Sequence, residues 1–79
     1  MYNAYLARDA IAVTPTDGAE LGPPIITGLW IGNAGNVTVV TELGTTTAFA
    51  NVPAGTMLWI RTRQVKATGT TAANIVALY

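Results

Sequence analysis

The sequence of 79 residues contains no cysteine, no histidine and no serine. Without cysteine there are no disulfides and no thiolate metal sites, and the redox compartment leaves no mark on the chain. Without all three, the usual nucleophile and base pairings cannot be assembled. Threonine, tyrosine, Lys66 and the acids Asp9, Asp17, Glu20 and Glu42 remain. No two of the acids fall at a spacing that suggests a general acid working with a general base. A carboxylate metal site needs several acids converging from different loops. Asp17, Glu20 and Glu42 are the set that would form one. We expect no enzyme, no catalytic residue, no metal and no cofactor.

Charge is scarce too. Four basic and four acidic residues make 10% of the chain, and the net charge is zero, against roughly 25% charged residues in an ordinary soluble domain. A neutral chain lacks the basic surface that displaces counterions from a phosphate backbone, so no nucleic acid is expected as a partner. The hydrophobic fraction is 51%. A fold of this size hides only about 60% of the surface of its unfolded chain. Much apolar surface is therefore left over, and the simplest way to cover it is another subunit. A homo-oligomer is expected.

A membrane is the other outlet for apolar residues. Residues 21–41 carry no charge and are numerous enough to span. But Gly22, Pro23, Pro24, Gly28, Gly32, Asn33, Gly35 and Asn36 break any helix there. The freed backbone groups would have no partner in lipid. We expect no membrane segment. The N-terminal MYNAYLARDA lacks the basic and apolar regions of a signal peptide.

What the chain does have is a period of two, punctuated by turn residues. Strands are expected at 10–14 (AIAVT), 25–31 (IITGLWI), 36–41 (NVTVVT), 45–52 (TTTAFANV), 56–65 (TMLWIRTRQV) and 74–79 (NIVALY). Residues 16–24 read as a loop, 32–36 (GNAGN) as a hairpin turn, 53–55 (PAG) as a strand stop, and 66–73 (KATGTTAA) as a polar loop. The threonine clusters read as β-formers that solvate an outer face without charge. The expected fold is all-β: a small antiparallel β-sandwich or barrel of about six strands over residues 10–79. Residues 1–9 form either a short helix or an arm that packs on a neighbour, with Tyr2 and Tyr5 as its aromatic contacts.

The stretch LWIRTR (58–63) holds two of the four basic residues, two apart and in register with a tryptophan. On a strand, Met57, Trp59, Arg61 and Arg63 share one face, and Leu58, Ile60 and Thr62 the other. The second set looks like core. Tryptophan and arginine are the types most enriched at binding hot spots. Trp59, Arg61 and Arg63 are therefore the candidate interface, with an arginine reaching an acid or carbonyl of a neighbour. In the competing reading, the arginine stems cover Trp59 on one subunit's own surface. Trp30, between Leu29 and Ile31, is expected in the core.

The segments NVTVVT (36–41), FANVPAGT (49–56), RTRQVKATGTTA (61–72) and IVALY (75–79), preceded by AVTP (12–15) and GLWIG (28–32), occur in a specific order. In this they resemble the small head-spike base proteins of gene transfer agents and related tailed bacteriophages. The resemblance covers residues 10–79. It implies a β-sandwich that forms a ring-like oligomer on the surface of a virion. It also implies contacts with the capsid protein and with a fibre protein, assembly in the host cytoplasm, and no enzymatic activity. A small carbohydrate-binding or receptor-binding β module is the alternative from another class.

Overall fold

A computed structural model describes residues 7–22 and 26–79. Among these there are seven strands and no helix: β1 (Ala10–Val13), β2 (Gly28–Asn33), β3 (Gly35–Thr41), β4 (Thr46–Val52), β5 (Thr56–Leu58), β6 (Thr62–Val65) and β7 (Ala73–Leu78). One sheet has the order β1-β7-β2-β5 and the other β4-β3-β6, and every pairing is antiparallel. The all-β sandwich expected from the period of two is the observed fold.

Alternation sets what lies between the sheets. Leu29, Ile31, Ile75 and Ala77 point inward from the four-stranded sheet. Val37, Val39, Val52 and Val65 come from the three-stranded one, and Ile26 and Ala72 complete the cluster. Burying a large aliphatic side chain contributes about 1.5–3 kcal/mol, so a core this thin has little to spare.

Two expectations are corrected. Residues 32–36 are not a hairpin turn, because β2 pairs with β7 and β5 while β3 pairs with β4 and β6. Instead the chain steps from one sheet to the other at Ala34. Glycine is needed there: a Cβ on Gly35 would stand 2.5 Å from the Ala72 nitrogen and 2.8 Å from the Thr71 carbonyl carbon.

The long strand expected at 56–65 is two strands in different sheets. Met57 stands opposite Trp30 in the first, and Val65 opposite Val39 in the second. Trp59, Ile60 and Arg61 form the corner between them. Switching sheets lets β5 and β6 each bury one face against a common core, as corners of packed sheets do.

The remaining backbone donors are met by irregular segments. The chain after β1 runs along the outer edge of β6: Thr16 N–H donates to the Val65 carbonyl (3.0 Å) and Leu21 N–H to that of Arg63 (2.8 Å). The polar loop after β6 lines β3 in the same way. The hydroxyl of Thr70 accepts from Thr38 N–H (3.0 Å) and that of Thr71 from Asn36 N–H (2.8 Å). These threonines continue the pairing of β3 where β6 does not reach it, rather than merely solvating a face. The edge strand β4 and the edge strand β1 have no such cover among the described residues.

Candidate interaction surface

The β5–β6 corner presents Trp59 to solvent, with 70% of its surface exposed. Arg61 and Arg63 follow it outward while Thr62 between them is buried. The outward grouping of Trp59, Arg61 and Arg63 that alternation implies is therefore present. Thr62 lies inside as expected, whereas Leu58 and Ile60 are only half-buried.

Both arginines have partners within the chain. Arg63 Nε donates to Glu20 Oε2 at 2.8 Å. Arg61 lies 3.6 Å from Glu42 Oε2, and about half of each of these two side chains is exposed. Exposed pairs of this kind contribute about 0–1 kcal/mol. The Arg63 bond orients its guanidinium and leaves most of its donors free, whereas at 3.6 Å the Arg61 contact is too long for a hydrogen bond.

Trp30 is the chief correction to the site. It is not in the core: Leu29 and Ile31 on either side are fully buried, and Trp30 points outward with 41% exposed. The neighbours on its face are equally apolar. In register across the sheet, Ala12, Val76, Trp30 and Met57 form one row. Leu78 and Gly28 stand opposite each other in the next. Gly28 has no side chain to fill its place, and the Met57 Cε and the Trp59 ring lean into it, 2.9 and 3.3 Å from where its Cβ would be. The outer face of the four-stranded sheet is thus a continuous uncharged surface that runs into the corner. Met57 belongs to it, on the face it was expected to share with Trp59, and so do Trp30, which was expected in the core, and Gly28. The signal was the pair Leu29 and Ile31, which as a matched aliphatic face were bound to take the core.

On the other side of the corner lies an open groove of about 420 Å³, lined by Thr41, Glu42, Leu43, Thr45, Ile60 and Arg61. Leu43, in the β3–β4 turn, is 93% exposed. The turn itself is tied by the Thr41 hydroxyl, which accepts from Thr45 N–H (3.1 Å). Tyr2 and Tyr5 lie outside the described residues.

The acids do not converge. Glu20 is bound to Arg63 and Glu42 to Arg61, while Asp17 accepts from both the hydroxyl and the N–H of Thr68. The Thr68 hydroxyl, followed by its N–H, holds the Asp17 carboxyl below its ordinary value of 3.8. Among the described residues no cluster of three acids is placed to hold a metal ion.

With that geometry the chain can be set beside known proteins. No family model matches it, and no curated protein does. A solved structure does: a chain in the capsid of a native gene transfer agent particle, reconstructed with C5 symmetry. The two superpose with a TM-score of 0.82 at 31% sequence identity, over 94% of this chain and 84% of that one. The chain belongs to the same family as that particle protein. A family of virion proteins fits a chain whose outward surface carries two indoles and an uncharged sheet face.

Proposed function

We propose that this protein is a structural component of a phage-like particle. It is a small homo-oligomeric base or decoration protein on the capsid surface, contacting the capsid protein and carrying a fibre. The observation that carries this reading is the 31% identity to a capsid-particle chain over nearly the whole fold. The head-spike base role within that family rests on the ordered segments from NVTVVT to IVALY.

The mechanism is association, not catalysis. Trp59, Arg61 and Arg63 are the proposed contact with a neighbouring copy, with Tyr2 and Tyr5 of the N-terminal segment as its second part. Apolar burial supplies about 25 cal/mol per Å2 before ordering costs. Glu20 orients the Arg63 guanidinium, and both arginines have donors left to fix the register of the neighbour.

The test is to purify particles from a host that makes an epitope-tagged copy of this chain. The tagged chain should co-sediment with particles and be accessible to antibody on their outside. A chain left wholly in the soluble fraction would end this reading. The exposed indoles of Trp30 and Trp59 favour, as a second reading, a sugar- or receptor-binding module, since sugars stack on such faces. Glycan binding by a strictly monomeric chain would decide for it.

A further inference from the structure

The three-stranded sheet has two edges, and the chain treats them differently. The edge at β6 is closed by the segment after β1, through Thr16, Leu21 and the Gln64 amide, which donates to the Thr16 carbonyl (2.9 Å). The edge at β4 has no such cover among the described residues. Open edges are ordinarily blunted by charge, proline, a bulge or brevity. In the four-stranded sheet β5 is only 3 residues long, and β1 is 4, with its Ala10 N–H already held by the Asp9 carboxylate (2.8 Å). β4 is 7 residues long and contains neither charge nor proline, and its register against β3 is regular from Thr46 to Phe49.

Hydrogen bonding decides which groups are open. Thr41 N–H donates to the Thr45 carbonyl (2.8 Å), and Val39 opposite Thr47 and Val37 opposite Phe49 continue that row. Thr38, opposite Ala48, directs its own groups to the other side, where its N–H donates to the Thr70 hydroxyl and its carbonyl accepts from Lys66 N–H. Bonded and non-bonded positions alternate along an antiparallel pair. The N–H and C=O groups of Thr46, Ala48 and Ala50 therefore point away from β3. Gly44 and Asn51, with φ of +93° and +55°, turn the backbone at either end of this run. The side chains of Thr46, Ala48 and Ala50 are small and exposed, while Phe49 packs against the core with part of its ring left open.

We propose that β4 pairs with β4 of a second copy, antiparallel, with Ala48 on the twofold axis. The same strand then serves both sides, as a twofold contact requires. In this register Thr46 stands opposite Ala50 of the second copy, and every open N–H meets an open C=O. A slip of two residues leaves one of the three residues unpaired on each copy. Thr47 lies beside the other copy's Phe49, a β-branched and aromatic pair of the kind that stabilises sheets, and covers the part of the ring the core leaves open. No charge faces another. Affinity comes from main-chain bonds, as in strand addition generally, and the two three-stranded sheets become one continuous sheet. Because β4 and β6 flank β3 on opposite sides, Arg63 and the Trp59 corner stay free for a further neighbour. The inference rests on the homo-oligomer reading above but not on the particle role.

The Ala48 side chain is exposed, so a charge there leaves the single chain folded. In sedimentation of the purified full chain, Ala48→Lys and Ala48→Glu should each weaken self-association about tenfold, because each sets like charges against one another on the axis. An equal mixture of the two should return to within about threefold of the parent, since opposite charges then meet. In the parent, amide exchange at Thr46, Ala48 and Ala50 should slow about tenfold as the concentration is raised through the association range. It should still do so when Arg61→Glu and Arg63→Glu remove the corner contact. Variants that associate as the parent does, a mixture no tighter than its components, or amides as open in the assembly as in the single chain would each overturn the proposal. An assembly that persists with those amides open would overturn the pairing and leave the homo-oligomer reading standing. A single chain at every concentration would end both.

Discussion

Gly35 and Asp17 hold this fold together by opposite means, one by having no side chain and the other by using all of its own. At Gly35 the β2–β3 step passes so close to Ala72 and Thr71 that even a methyl group meets backbone atoms. Backbone cannot swing aside as a side-chain tip can. Gly35→Ala should therefore destabilise the chain by about 1–3 kcal/mol or more, measured as a shift of the urea midpoint at constant slope. An unchanged midpoint would mean that the two segments are further apart than described. Asp17 ties the loop after β1 to the loop after β6 through Thr68. Its carboxyl is lower in the folded chain than its ordinary 3.8. The tie thus adds stability above that value and loses it as the pH falls through the folded value. Asp17→Asn should melt below the parent at neutral pH, and the gap should close in acid beneath 3.8. A gap that persists there would assign the effect to something other than the charge.

Among the elements, the strands were legible and the corners were not. Five of the expected strands lie where alternation and turn residues place them, β1 to β4 and β7, give or take their ends. The period of two runs on through Trp59 and Arg61, however, so nothing in the pattern marks the point where the chain leaves one sheet for the other. The same holds at Ala34, where glycine and asparagine serve a sheet-to-sheet step as readily as a hairpin. Trp30 was misplaced for a related reason. A strand with Leu29 and Ile31 on one face and tryptophan on the other states the division into faces, but not which face has a partner. The candidate site was half legible: Trp59, Arg61 and Arg63 face outward together, but their pairing with Glu42 and Glu20 is a matter of tertiary contact. Because those pairs are exposed, Arg61→Glu with Arg63→Glu should lower the chain's own stability by no more than about 2 kcal/mol. Self-association should weaken at least tenfold if the corner is the contact, read as the concentration at which the assembly falls apart. An unchanged assembly in that double variant would move the interface elsewhere.

At the scale of the whole molecule, the balance is between a thin core and a large remaining apolar surface. Ile31 and Ile75 stand opposite each other in the ten-residue buried cluster, and truncating either to alanine should cost about 2–5 kcal/mol. For a chain of this size that is a large part of its stability, and thermal melts should register it as a broad loss of the native fold. A neighbour that covers Trp59, Leu43 and the apolar sheet face would add what the core cannot. This is the physical sense of a small, neutral, histidine-free β-sandwich in the same family as a capsid-particle protein: it is suited to life among copies of itself. Native mass spectrometry of the purified chain, followed through a dilution series, tests this most directly. A discrete homo-oligomer that comes apart only on dilution is the expected result. A folded single chain at every concentration would contradict it.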